Sequence, residues 1–376
     1  MAPATVIALG LPLYLCLGFF AVPWGIISDR KGAFFALGAG GLLTSTGALL
    51  MAFSSSQSLI LTSLIVSGIG IAVYHPAGMA AISRNFKEQR GRALATHGIW
   101  GGVGILIAPI ASGTIAYLLH WRAFFVLASI VSGLTAAWSF HLYKKNGPSL
   151  AESNKPSQTM SSFFPSLLKI FKFRDFAILV VTMTIGGMVY RSNTVAIPVL
   201  FRENGQGPLE FLASLIENFG VQTSGASPLE ASSSMLMALA LLGGLLGQRI
   251  GGELADRYNL ARMYFCYFLF GIPCLFLMGQ LSGNPLMIVS LLYFFVGLGM
   301  QPIENSLVAK LSPEELISSI YGIKFTFAFG VAALVVYPVS GYIKTGNFSS
   351  LYLGLASLLV LHIFLVSRMN VFKETS

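Results

Sequence analysis

The sequence predicts an all-α membrane protein of two helical bundles, with eleven transmembrane segments, five before a polar linker and six after it. Three observations carry this. Hydrophobic residues make up 55% of the 376 and charged residues 10%, where an average soluble domain holds about 25% charged residues. The apolar runs are each long enough to cross a bilayer as a helix, which takes about 20 residues. A short polar turn occurs twice: Gly25, Asp29 and Arg30 match Gly252, Asp256 and Arg257, each at an offset of 227.

In chain order the first five runs are 4–27, 33–53, 58–82, 94–117 and 122–142, which together make an N-terminal bundle, 1–142. Residues 143–174 are polar and basic, with Lys144, Lys145, Lys155, Lys169, Lys172 and Arg174 among Ser, Asn and Pro. They predict a linker on the membrane surface. Six further runs follow at 175–200, 233–254, 260–281, 286–309, 318–343 and 349–369, forming a C-terminal bundle, 175–376. The long loop at 201–232 holds one amphipathic stretch, Pro208 to Phe219, with Leu209, Leu212, Leu215, Ile216 and Phe219 on its apolar side.

With Asp29, Arg30 and Lys31 placed in the cytoplasm, alternation puts 18 of the 23 Lys and Arg residues there, leaves only Arg122, Arg202 and Lys344 outside, and sets Arg191 and Lys324 inside spans. This is the positive-inside pattern, and it accounts for the net charge of +9 without nucleic acid as a partner. The expected setting is the cytoplasmic (inner) membrane, crossed many times, with linker and C-terminus cytoplasmic and lipid as surroundings. Cys16, Cys266 and Cys274 all fall in apolar runs, which argues against a disulfide framework. No metal-ligand spacing, nucleophile elbow or phosphate loop is present, so neither an enzyme nor a cofactor is expected. The glycines between 98 and 104 lie inside a helix, where they allow close helical contact.

The segment Gly25 to Gly32 resembles the loop signature between the second and third helices of the major facilitator superfamily, and Gly252 to Arg257 resembles its echo in the second half. Here Ala33 and Phe34 replace the basic cluster that normally follows the glycine. Tyr74-His75-Pro76-Ala77-Gly78, Arg90-Gly91-Arg92 and Gly101, Gly102, Gly104 and Pro109 are also similar to the fosmidomycin-resistance-type branch of that superfamily. The resemblance implies a major facilitator-type two-bundle fold and a gate on the cytoplasmic side. Gly25, Asp29, Arg30, Gly252, Asp256 and Arg257 would form the gate, Asp29 meeting the N-terminus of the helix that begins near Ser318. The span at 175–200 has no counterpart in the first half, since 227 subtracted from Arg191 falls before Met1. The expectation is a chain lacking the family's first helix, with an apolar segment encoded upstream.

Ionisable groups inside spans are costly and mark function. Arg191, in a helix class that the resemblance places on the central cavity, stands among Tyr190, Asn193 and hydroxyls and suits a carboxylate or phosphate. Lys324, Gln301 and Asn305 are the other candidate substrate contacts. Glu304, His75 and His97 are the candidate proton-coupling groups. With no ATP-binding motif, the expected function is secondary active transport by alternating access. The solute would be a small organic anion, coupled to protons, with efflux favoured and a monomer as the working unit. An organic-anion importer and a non-transporting membrane sensor or partner subunit are the alternatives.

Overall fold

The computed structural model describes residues 3–147, 165, 170–218 and 228–373, and among these every regular element is helical. In chain order the helices are α1 (Pro3–Phe19), α2 (Ala21–Lys31), α3 (Ala33–Ala52), α4 (Gln57–Ile71), α5 (Tyr74–Asn85), α6 (Arg90–Leu118) and α7 (Trp121–Asn146). Then come α8 (Arg174–Asn204), α9 (Pro208–Asn218), α10 (Pro228–Arg257), α11 (Leu260–Met278) and α12 (Gly283–Lys310). A 3-10 turn (Glu314–Leu316) then leads to α13 (Ile317–Phe325), α14 (Val336–Thr345), α15 (Phe348–Ser367) and the short α16 (Asn370–Lys373).

Each of the eleven apolar runs is helical, and nine segments of the described residues are long and apolar enough to cross a membrane. The runs at 94–117 and 175–200 are the other two. Polar residues in the turns set helix starts: Ser56, Asn259 and Asn347 accept from the backbone N–H of Leu59, Arg262 and Ser350, satisfying donors that a helix start leaves open. The amphipathic stretch forms α9, burying Leu209, Ala213 and Ile216. Phe219 and most of the linker lie outside the described residues.

Two runs are interrupted. The run 58–82 breaks at Ala72 and Val73, and Pro76 sits in the first turn of α5, where its missing N–H is tolerated. The run 318–343 passes from α13 into a π-helix, Thr326–Val331, and a 3-10 turn, Ala332–Val335, before α14. Thr326 Oγ1 donates to the carbonyls of Gly18 (2.7 Å) and Gly322 (3.1 Å) at the start of that break.

Two compact units emerge. The first joins residues 1–87, 107–183 and 308–333, the second 88–106, 184–307 and 334–376. In the first, Trp24, Ala33, Ala36, Ala72, Val73 and Ala77 make a buried cluster, tied by Trp24 Nε1 donating to the Ile69 carbonyl at 2.7 Å. In the second, Gly243, Gly247 and Gly251 of α10 recur every four residues against the carbonyls of Leu291, Phe295 and Gly299 of α12. Small residues at that spacing let helix backbones touch, the main source of packing in lipid.

Candidate functional site

The repeated turn is a pair of helix latches. At the first, Gly32 adopts φ 90° and ends α2, leaving Asp29 on its last turn. One Asp29 oxygen accepts from Ser318 N–H (3.1 Å) and Arg84 Nη2 (2.6 Å), the other from Ser319 N–H (2.8 Å) and Ser319 Oγ (2.7 Å). The carboxylate thus caps the start of α13, where open backbone N–H groups and the helix dipole favour negative charge. Gly25 stands four residues earlier on the same face, and an added Cβ there would lie 2.5 Å from the Ser318 carbonyl oxygen. The four-residue spacing therefore couples a backbone notch to an anchoring charge.

Arg84, at the end of α5, completes this latch. Its side chain is 7% exposed against Asp29, and its Nη2 also donates to the Glu314 carbonyl at 3.1 Å. Lys87 pairs with the Glu314 carboxylate at the surface, and the Ser83 and Tyr321 hydroxyls share a buried hydrogen bond of 2.9 Å. Arg30, by contrast, faces outward. The arginine that holds Asp29 is Arg84.

The second latch lies within the other unit and is sparser. Asp256 accepts from the N–H groups of Gly91 (2.6 Å) and Arg92 (3.1 Å) at the start of α6, and Arg257 is exposed. A Cβ on Gly252 would lie 2.5 Å from the Ala95 Cβ. Of the glycines between 98 and 104, Gly98 faces Gln248 and Gly102 faces Leu245, while Gly101 and Gly104 have nothing within 4 Å of an added Cβ.

The interior polar residues separate into groups. In the second unit, Arg191 and Tyr190 on α8 are half-buried, whereas Asn193 is fully buried, its Oδ1 accepting from Tyr352 Oη at 2.7 Å. Two residues along a helix turn the side chain by about 200°, so Arg191 and Asn193 face opposite ways. Gln301 is half-buried, with Gln248 Nε2 3.4 Å from its Oε1, and Asn305 is buried. Glu304 is 4% exposed and accepts from Tyr264 Oη at 2.5 Å. His97 is half-buried in the same unit.

Lys324 and His75 belong to the first unit. Lys324 is 4% exposed, with Nζ 5.5 Å from the Phe325 ring centroid. His75 stacks on Phe325 at 4.4 Å and 14°, and Phe325 stacks in turn on Phe329 at 5.2 Å. Cys16, Cys266 and Cys274 are free. No group of three His, Cys, Asp or Glu is placed to hold a metal ion among the described residues.

Comparison with known proteins agrees with this architecture. The family model described as Major Facilitator Superfamily matches residues 2–323. The methyl viologen resistance protein SmvA of Salmonella typhimurium is 30% identical over 131 residues, 33% of this chain and 26% of that protein. The quinolone resistance protein NorB of Staphylococcus aureus is 31% identical over 118 residues, 31% of this chain and 25% of that protein. The chain thus matches about a quarter of the length of these curated relatives. Among solved structures, the transporter FucP in its outward conformation superposes with a TM-score of 0.73 at 15% identity, over 98% of this chain and 90% of that one. The human organic anion transporter MFSD10 does so with a TM-score of 0.69 at 17% identity, over 95% and 83%. With its family match extending over most of the sequence, the chain belongs to the Major Facilitator Superfamily.

Proposed function

We propose that this transporter is a proton-coupled exporter of a small organic anion, working as a monomer by alternating access in the cytoplasmic membrane. The bundles are 1–142 and 175–376, all eleven runs span, and the linker and C-terminus are cytoplasmic. Gly25, Asp29, Arg30, Gly252, Asp256 and Arg257 mark the two cytoplasmic latches, with Arg84 added to the first. The observation that carries the anion reading is Arg191, a half-buried guanidinium near the middle of the 31-residue α8. Export is supported by the names of the partial relatives, both resistance proteins.

The test uses sealed vesicles of both orientations with an imposed pH gradient and two probes, a quinolone carboxylate and methyl viologen, a dication. Quinolone movement out of the cytoplasmic side, driven by the gradient, is the expected result. Movement of methyl viologen alone would overturn the anion reading, and movement of the quinolone only inward would make the protein an importer. Arg191→Lys keeps the charge but loses the planar two-pronged contact. Loss of a charge-assisted hydrogen bond of about 1.5–3 kcal/mol predicts an affinity for the quinolone lower by about tenfold or more. Unchanged affinity would remove Arg191 from the site. For coupling, Glu304→Gln is expected to retain quinolone exchange at equal pH and to lose accumulation driven by the gradient. Accumulation that survives would move the proton to His75 or His97.

A further inference from the structure

Of the nine candidate spans among the described residues, α7 is the least enclosed: 11% of its apolar window is buried, against 28–56% in the others. Only one face of it is packed. Ser129, Ala136 and Phe140 meet α3, where Ser45 Oγ donates to the Ser129 carbonyl at 2.8 Å. An added Cβ on Gly41 would lie 3.0 Å from the Ala136 Cβ, and one on Gly38 would lie 2.9 Å from the Phe140 ring. Leu127, Val131, Leu134, Trp138, His141 and Lys145 are all exposed. Their spacing of three and four residues puts them on one helix face. Ser129, Ala136 and Phe140 each follow a member of this stripe by two positions, a turn of about 200°, so the stripe faces away from α3. The Trp138 and His141 rings stack at 5.5 Å and 24°. The stripe thus runs from aliphatic through aromatic side chains to an ammonium at the end of the helix.

A basic group gathers at that same end. The Phe35 ring of α3 stands edge-on to Tyr143 at 5.5 Å and to Phe140 at 6.1 Å. Lys31, on the last turn of α2, holds its Nζ 4.8 Å from the Phe35 centroid, and Lys144 and Lys145 follow Tyr143 directly. The aromatic pack therefore sets Lys31 beside the terminal lysines of α7. Among the described residues none of these three ammonium groups pairs with a carboxylate. Asp29, two residues before Lys31, is already engaged by Arg84, Ser318 and Ser319. Three like charges held near one another repel, and an anion seated among them removes that repulsion.

We infer that this face of α7 binds an anionic phospholipid of the phosphatidylglycerol type, its phosphate held among Lys31, Lys144 and Lys145 and an acyl chain lying along Leu127, Val131 and Leu134. Trp138 and His141 stand between the two, at the level where amphipathic rings meet the headgroup region. Charge selects the occupant. A zwitterionic lipid would bring a further ammonium to three others, and a free phosphate would leave the apolar stripe uncovered. Each basic residue near an anionic headgroup contributes about fivefold in affinity, so the three act together although none is buried. The site lies wholly within the first unit and uses none of the latch or solute-contact side chains, so it stands whatever solute is carried.

The experiment is native mass spectrometry of the full chain released from detergent with equal amounts of phosphatidylglycerol and phosphatidylcholine. Retained phosphatidylglycerol is expected to exceed phosphatidylcholine by about tenfold or more. The variant carrying Lys31→Gln, Lys144→Gln and Lys145→Gln should lose that preference. The variant carrying Lys310→Gln, Lys344→Gln and Lys373→Gln, which removes three exposed charges elsewhere, should keep it. Equal retention of the two lipids by the parent, or an equal loss in both variants, overturns the proposal. Thermal melting separates lipid from bare anion: phosphatidylglycerol should raise the melting temperature and inorganic phosphate should not, and equal protection by phosphate overturns the lipid site. Should the first variant fail to fold, acetylation of the unaltered protein decides. Lys31, Lys144 and Lys145 should react more slowly in phosphatidylglycerol vesicles than in phosphatidylcholine vesicles, by a larger factor than Lys373. The same slowing at all four lysines overturns the site.

Discussion

Replacing Asp29 with asparagine is expected to give the largest loss of transport of any single latch substitution. The carboxylate holds two backbone N–H groups, one hydroxyl and one guanidinium. A helix-end charge effect alone is worth about 0.3–1 kcal/mol. Breaking a buried ion pair costs about 3–5 kcal/mol, because the remaining charge is left uncompensated, and Arg84 is 7% exposed where it meets Asp29. The second term dominates. A destabilisation of about 3 kcal/mol shifts the latched population by about a hundredfold, so quinolone flux in vesicles at matched protein level should fall by at least about tenfold. Arg84→Ala should fall by a similar factor, while Arg30→Ala, an exposed position, should stay within about threefold, as exposed pairs contribute about 0–1 kcal/mol. A larger loss in Arg30→Ala than in Arg84→Ala would contradict this account.

The helices were legible because a bilayer accepts only segments that satisfy their own backbone, and a run of apolar residues long enough to cross states that requirement directly. Both interruptions fall inside runs that the sequence gives as continuous, and one has a local signal. Pro76 marks the restart of α5, but the π-helical turn at Thr326–Val331 contains no proline and lies against Gly18 of a remote helix.

Within the site, the Gly25 to Asp29 spacing was readable as one helix face. The Arg84 partner has no motif to announce it, although Asp29 is the only acidic residue before Glu88 and so the only carboxylate of that stretch available to it. Grouping by adjacency failed for Arg191 and Asn193, which helical geometry turns apart. Tyr264 gave no pattern, since a single phenol in an apolar run acquires meaning only when Glu304 arrives from another helix.

Filling the notch at Gly25 should be nearly as damaging as losing the charge, and for a different reason. A Cβ at this position would lie 2.5 Å from the Ser318 carbonyl oxygen and 2.7 Å from the Ser319 Cα, both backbone atoms of α13 that no rotamer change can move. Overpacking costs about 1–3 kcal/mol, and a branched side chain falls at the upper end, so Gly25→Val predicts quinolone flux reduced by about tenfold or more. Gly252→Val meets the Ala95 Cβ at 2.5 Å and the Gly91 carbonyl at 2.7 Å, and should damage the second latch comparably. Gly101→Ala and Gly104→Ala meet nothing within 4 Å, and alanine is the better helix former by about 1 kcal/mol, so these variants should keep flux within about twofold of the parent. Reversal of that order, with Gly25→Val active and Gly101→Ala impaired, would show that backbone approach at the latch does not control transport. Purified Gly25→Val should also melt at lower temperature than Gly101→Ala, because the α2–α13 contact is part of the folded state whether or not solute moves.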